Sequence, residues 1–240
     1  MSLSGRRVRA IVGKELREYR RNNSIVTAMA IIPLIFLIQP LVVVLKLPTS
    51  AAGVFADAHV LLYMLAIPAL APATVAAYAV VGERTQGTLE PVLTTPIRRE
   101  EFLLGKALAA FVPSVAVAYM VYAAFLVVVE LFVDRAIVSA LLRWPDVLAQ
   151  LCFTPLLAAW SIWIGIGISA RVSDVRVAQQ LGLLGSLPAA VVTSLVAFGV
   201  IHATVELAVG CAAALLLLDG LGWRILSRTL NRERLITSIR

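Results

Sequence analysis

Six long apolar segments constrain the fold of this 240-residue chain more than any other feature. A helix needs about 20 predominantly apolar residues to cross the ~30 Å hydrocarbon core of a bilayer. The segments run approximately over Ser24–Leu45, His59–Val81, Ala107–Val129, Val147–Ser169, Gln179–Val200 and Ala203–Gly222. The sequence therefore predicts an all-α polytopic membrane protein with six transmembrane helices, built as one domain over residues 1–240.

The composition excludes the common soluble classes of protein. Hydrophobic residues make up 60% of the chain and charged residues 15%, whereas soluble domains average nearer ~45–50% and ~25%. Without lipid, a chain of this length would expose large apolar patches to water. A soluble enzyme, a disordered chain and a disulfide scaffold are therefore excluded. Cys152 and Cys211 lie within apolar segments and are expected to be small buried hydrophobes.

The distribution of positive charge predicts the orientation in the membrane. Eighteen of the 21 lysines and arginines lie near the termini or in the second and fourth connections, and only Lys46, Arg135 and Arg143 lie on the opposite side. Cytoplasmic loops carry the excess of lysine and arginine, so both termini are expected in the cytoplasm. The net charge of +7 then faces the anionic inner leaflet, and no nucleic-acid partner is expected. The first apolar segment is too long for a cleavable signal peptide.

Residues 6–22 are predicted to form an amphipathic helix at the membrane interface. Apolar residues recur every three or four positions along one face, at Val8, Ile11, Val12, Leu16 and Tyr19. The polar residues assigned to this interfacial helix include Lys14, Glu15, Arg17, Arg20 and Arg21. An alternative interpretation is a basic leader that only sets the topology.

The residues needed for catalysis or proton transfer inside the membrane are absent from the middle of every apolar segment, where ionisable groups indicate function. No catalytic residue, metal site or phosphate-binding loop of the type GxxxxGK[ST] is predicted. A few polar residues remain as candidates for a substrate pathway. They are Gln39, Ser114, Tyr119, Thr154, Ser161 and Thr193.

The connection at residues 82–106 is the longest one on the predicted cytoplasmic side. Thr85–Leu93 is expected to form a short helix that presents apolar side chains to a groove on a partner. Thr95 before Pro96 is typical of a second helix start, with Glu100 and Glu101 in its first turns. Gly105-Lys106 is expected to mark the return to the membrane.

This connection resembles the signature of ABC-2 type transporter permeases. The residues that carry the resemblance are Glu83-Arg84-x-x-Gly87-Thr88-Leu89-Glu90-x-x-Leu93-x-Thr95-Pro96, followed by Phe102-Leu-Leu-Gly105-Lys106. The order of elements, a basic N-terminal helix and six spans with the motif between the second and third, is also similar. The resemblance thus extends over essentially the whole chain.

The resemblance implies a permease subunit of an ATP-driven exporter in a bacterial inner membrane. ATP and Mg²⁺ would bind to a separate ABC ATPase subunit, and a second permease, identical or related, would complete the pathway. The coupling helix would lie at about Gln86–Thr94, and Glu83 would pair with Arg17, Arg20 or Arg21. The residues expected to dock the ATPase are Glu83, Gly87, Thr88, Leu89, Glu90, Leu93, Thr95, Pro96 and Arg98.

Three questions stay open at the level of the sequence. The exported substrate is expected to be amphipathic or hydrophobic, such as a drug, an antibiotic or a lipid. A membrane anchor or sensor for an ATPase, and a channel or carrier that works without ATP, are the alternatives. The short link around Ile201 and His202, between the fifth and sixth segments, is either a tight hairpin or partly re-entrant.

Overall fold

The computed structural model describes residues 4–46, 59–87 and 98–229, and the regular elements in these ranges are all helices. The α-helices are α1 (Gly5–Arg21), α2 (Asn23–Lys46), α3 (Ala66–Ala76), α4 (Tyr78–Thr85), α5 (Arg99–Phe132), α6 (Arg135–Leu141), α7 (Trp144–Ser169), α8 (Val175–Ala197) and α9 (Val205–Thr229). A 3₁₀ helix at Val60–Leu65 leads directly into α3.

Six segments within the described ranges are long and apolar enough to cross a membrane. They are Ile25–Lys46, Leu61–Thr85, Arg99–Phe132, Trp144–Ser169, Val175–Ala197 and Val205–Arg228. The predicted all-α fold with six spans and an N-terminal helix is therefore confirmed. Short α6, which buries Ile137, Val138 and Leu141, was not predicted from the sequence.

The third span begins earlier than the expected Ala107 and is longer than expected. The helix that carries Glu100 and Glu101 begins at Arg99, so it does not start at the predicted Thr95-Pro96 pair, which lies outside the described residues. The Glu101 carboxylate accepts a hydrogen bond from the backbone N–H of Arg98 at 3.1 Å, which caps the helix at that point. Helix α5 continues through Gly105-Lys106 without a break, and the return to the membrane at this point stays a prediction. At 34 residues the helix is about 51 Å long, well beyond a ~30 Å apolar core.

The second span is the centre of the bundle. Every residue of α3 is buried, and α3 packs against α2, α5, α7 and α8. Small side chains allow this close approach. A Cβ added at Gly165 of α7 would lie 2.7 Å from Ala76 Cβ and 2.8 Å from the carbonyl oxygen of Ala73. Packing of small residues at helix crossings is the usual means by which membrane helices associate.

This central span is not one regular helix. The Pro68 ring removes the N–H that would bond to the Met64 carbonyl, and the preceding residues wind as a 3₁₀ helix. A second irregularity at Ala77 separates α3 from α4. There the buried Ser169 hydroxyl of α7 donates to the Ala77 carbonyl at 2.6 Å and accepts from the N–H groups of Val80 and Val81, both at 3.0 Å. One side chain thus joins two spans through three backbone groups.

Replacing Ser169 with alanine is expected to destabilise the fold by about 2 kcal/mol, because it leaves buried backbone groups without their hydrogen-bond partner. The free energy of unfolding, measured by SDS titration in mixed micelles, checks this. Ser227→Ala is a matched control, since the Ser227 hydroxyl is exposed and donates to the Arg224 carbonyl of its own helix. Equal effects of the two substitutions would contradict the structural role of Ser169.

The link between the fifth and sixth spans covers residues 198–204. Helix α8 ends at Ala197 and α9 begins at Val205, and Gly199 takes a φ of +71° between them, a conformation that glycine adopts easily. The two helices have 23 and 25 residues, about 35 Å and 38 Å of length, enough to cross the core. The choice between a tight hairpin and a partly re-entrant link stays a prediction.

The outward surface of the bundle is strongly apolar. Leu184, Leu217 and Met120 are among many large hydrophobic side chains exposed on it, as expected for a surface solvated by lipid. Cys152 lies on this surface and Cys211 is half-buried. The expectation that both cysteines are buried was wrong, because hydrophobicity in a membrane protein does not distinguish inward from lipid-facing positions.

Candidate functional site

Helix α1 packs across the first turns of α5 at the end of the bundle that carries the N-terminus. Val8, Ile11 and Tyr19 of α1 are buried there. Gly105 of α5 permits the contact, since a Cβ at this position would lie 2.7 Å from Ile11 Cγ2. The apolar face of α1 was predicted to rest on the membrane interface. Its buried residues contact protein instead. The helix is rotated about its axis so that this face points toward the bundle, and Glu15 therefore also lies inward.

A buried group of charges lies where α1, α4 and α5 meet. We call Lys14, Glu15, Glu18, Glu83 and Lys106 the lysine–glutamate cluster. The Lys106 ammonium lies 2.9 Å from Glu15 Oε1 and 2.9 Å from Glu83 Oε1. Lys14 Nζ lies 2.8 Å from Glu83 Oε1, 3.2 Å from Glu18 Oε1 and 3.5 Å from Glu15 Oε1. Each of the three helices therefore contributes a charge to one network.

The inner members of the cluster are almost completely removed from solvent. Lys106, Glu15 and Glu83 are 1%, 3% and 4% exposed. Lys106 also lies 5.0 Å from the ring centroid of Phe102, within range of a cation–π contact. Burial lowers the pKa of Lys14, but the hydrogen bond and charge of Glu83, with the charge of Glu15, more than offset this, so the pKa rises above its usual value. Lys14 therefore stays cationic at physiological pH.

A second contact joins the beginnings of α1 and α5. The Glu101 carboxylate accepts from the backbone N–H of Ser4 at 2.9 Å and lies 3.4 Å from the Arg7 guanidinium. Together with the lysine–glutamate cluster, it holds α1 at two points along the first turns of α5. The N-terminal helix is thus attached to the bundle by charged as well as apolar contacts.

The predicted docking residues are only partly within the described ranges. Glu83 belongs to the lysine–glutamate cluster, Gly87 follows α4 with a φ of +69°, and Arg98 precedes α5. Thr88, Leu89, Glu90, Leu93, Thr95 and Pro96 lie outside the described residues.

The predicted cationic partners of Glu83 were wrong. Arg17, Arg20 and Arg21 lie on the exposed face of α1, and Arg17 Nε donates to the Gly13 carbonyl of its own helix. The rotation of α1 points Lys14 at Glu83 instead. The sequence contained a signal for Lys106, because this residue is a lone cation beside an apolar run. Its position was interpreted only as the point where the chain returns to the membrane.

The six pathway candidates do not form one lining. Ser114, Thr154 and Ser161 are buried, Gln39 is exposed, and Tyr119 and Thr193 donate to the backbone carbonyls of Leu151 and Ala190. Ser161 lies 3.4 Å from Ser186, a pairing not anticipated from the sequence. A pathway through these six residues stays a prediction.

A further polar group was missed at the opposite end of the bundle. His59 Nδ1 lies 2.7 Å from Asp146 Oδ1, and Arg143 Nη2 lies 2.9 Å from the same ring nitrogen. Gln150 and Thr154 continue this buried polar face of α7 inward at intervals of one turn. Among residues 4–46, 59–87 and 98–229, no three His, Cys, Asp or Glu side chains are grouped as a metal site requires.

The comparison with known families gives a match over most of the chain. The chain is similar, over residues 9–230, to the family described as ABC-2 family transporter protein. The matched region includes most of α1, the lysine–glutamate cluster and all six spans. Among curated proteins, none matches the chain.

Proposed function

This chain belongs to the ABC-2 family of transporter proteins, and we propose that it is the permease subunit of an ATP-driven exporter. In this proposal a separate ABC ATPase subunit binds ATP and Mg²⁺ and docks on the segment between α4 and α5. Two permeases, identical or related, form the pathway between them. The excess of lysine and arginine on the terminal side supports cytoplasmic termini.

The observation that carries the proposal is the position of the lysine–glutamate cluster. The segment 88–97 connects α4 to α5, and the Glu83–Lys106 pair joins these two helices close to where that segment leaves and returns. Glu15 adds α1 to the same unit. Breaking a buried ion pair costs several kcal/mol, so a force on the segment moves α1, α4 and α5 together.

Transport follows from this mechanical connection. ATP binding brings the two ATPase subunits together and displaces the docked segment of each permease. The second span responds as part of the connected unit, and it lies at the centre of the bundle against α2, α7 and α8. A small displacement at the cytoplasmic end is thereby passed to the helices that surround it, and the pathway between the two permeases opens outward. Asp219 lies near the middle of the sixth span, whereas the middles of the other five spans carry no charged residue, which favours an amphipathic or hydrophobic substrate.

The docking segment is tested by affinity purification from native membranes. Leu89→Arg combined with Glu90→Arg is expected to reduce the co-purified ATPase at least about tenfold, because placing a charge in an apolar groove costs more than ~1.4 kcal/mol. Leu89→Met combined with Glu90→Gln is the matched control and should retain the ATPase. A wild-type protein that carries no ATPase would contradict the proposal.

Reconstitution separates the remaining alternatives. Vesicles that contain the permease and its ATPase are expected to move a fluorescent amphipathic substrate only when ATP and Mg²⁺ are present. A stable complex that moves no solute would indicate an anchor or sensor. Transport by the permease alone would indicate a channel or carrier.

A further inference from the structure

The exposed side of α1 carries a line of arginines. Together with Gly13 they recur at intervals of three, four, four and three residues, so they share one face of the helix. All four arginines are exposed, and the buried face of α1 lies on the other side of the helix. We call these residues the arginine stripe. Its members are Arg6, Arg9, Arg17 and Arg20.

The arginine stripe has no acidic counterpart in the protein. Within the part of the chain that the structure describes, none of its four members forms an ion pair. Helix α1 has two acidic residues of its own. Glu15 is buried, and Glu18 pairs with Lys14 at 3.2 Å. The stripe therefore presents positive charge that the protein does not balance.

A recess lies at the middle of the arginine stripe. No heavy atom outside the helix backbone lies within 4 Å of a Cβ built at Gly13, so packing does not require a glycine there, although glycine is unfavourable inside a helix. The Arg17 Nε donates to the Gly13 carbonyl at 3.0 Å, which holds its guanidinium beside the recess. Arg9 lies one turn away on the other side. Two arginines therefore flank an open stretch of helix surface.

The contacts of α1 place the arginine stripe at the surface of the membrane. Near the start of α1, the backbone N–H of Ser4 donates to Glu101. Eleven residues later, about 17 Å along α1, Glu15 meets Lys106, which is only about 8 Å further along α5. Helix α1 therefore crosses the third span obliquely and runs closer to the membrane plane than to its normal. It ends four residues before the first span begins at Ile25.

We propose that the arginine stripe binds an anionic phospholipid whose phosphate lies at Gly13, between Arg9 and Arg17. Guanidinium groups donate paired hydrogen bonds to phosphate oxygens. Lipid head groups lie just outside the hydrocarbon core, at the depth of α1, and the cytoplasmic leaflet attracts basic segments. A contact through charge thus replaces the apolar contact with the membrane that the sequence predicted for this helix.

The test compares phosphatidylglycerol with phosphatidylcholine of identical acyl chains. Both carry a phosphate, but the choline cation of the second lipid is repelled by the neighbouring arginines. Binding to the purified, delipidated full-length chain is measured by native mass spectrometry. Wild type is expected to bind phosphatidylglycerol about tenfold more tightly, and Arg9→Gln combined with Arg17→Gln should remove most of that preference.

A second variant tests the recess without changing any charge. Gly13→Leu meets no neighbouring atom, so the fold should be retained, but its side chain fills the space between the two arginines. The preference for phosphatidylglycerol should fall about as far as in the double variant. A preference that Gly13→Leu retains in full would overturn the assignment of the phosphate to this recess.

The controls separate a lipid from other anions. Lys46→Gln combined with Arg135→Gln removes two exposed cations at the opposite end of the bundle and should behave as wild type. Thermal stabilisation by inorganic phosphate without a lipid preference would assign the stripe to a soluble anion and contradict the proposal. Equal binding of both lipids, or an unchanged preference in the double variant, also overturns it. Because no ATPase takes part, these results would leave the proposed transport function untouched.

Discussion

Lys106→Met is expected to destabilise the protein by about 3–5 kcal/mol, because it leaves buried carboxylates without their central cation. The Lys106 ammonium lies 2.9 Å from both Glu15 and Glu83. Lys14 remains near both carboxylates, but its side chain is 35% exposed and lies 3.5 Å from Glu15 Oε1. The free energy of unfolding, measured by SDS titration in mixed micelles, gives the effect directly.

Two further variants test whether this loss arises from unpaired charge. Lys46→Met removes an exposed lysine at the end of α2 and should change stability by no more than about 0.5 kcal/mol. Adding Glu15→Gln and Glu83→Gln to Lys106→Met should recover part of the loss, since the carboxylates no longer carry charge. If the single variant is as stable as Lys46→Met, the buried network does not stabilise the fold.

Gly165→Leu is expected to destabilise the bundle by about 3 kcal/mol or more, the upper end of the range for overpacking. A Cβ at this position would meet Ala76 Cβ at 2.7 Å and the Ala73 carbonyl oxygen at 2.8 Å. The second contact is with the backbone, so no rotamer change can relieve it. Helix α3 is buried on all sides and cannot move away without disturbing its other neighbours.

Gly210→Leu is the matched control for this substitution. No heavy atom outside the helix backbone lies within 4 Å of a Cβ built at Gly210 of α9. Leucine favours a helix more than glycine does, so stability should be unchanged or increase slightly. The same unfolding titration compares the two variants, and a similar loss in both would show that the close crossing at Gly165 does not matter.

The six spans were predictable because the constraint on them is local and large. A backbone in lipid must satisfy its own hydrogen bonds, so an apolar run of about 20 residues becomes a helix whatever it packs against. The first and last residues of the spans were less predictable. The start of α5 at Arg99 depends on the Glu101 carboxylate capping the Arg98 N–H, a contact that hydropathy does not report.

The sequence by itself determined the class of fold, the number of spans and the family that the connection after the second span resembles. The tertiary structure alone decided which charges meet. Glu15 and Lys106 are 91 positions apart, and their contact depends on the rotation of α1 and on the space that Gly105 leaves for Ile11. Apolar periodicity sets that a helix forms, but the rotation of a helix about its axis follows from packing against its neighbours. Because this rotation could not be predicted from the sequence, Glu83 was expected to pair with arginines of α1. In the structure it contacts Lys14 and Lys106 instead.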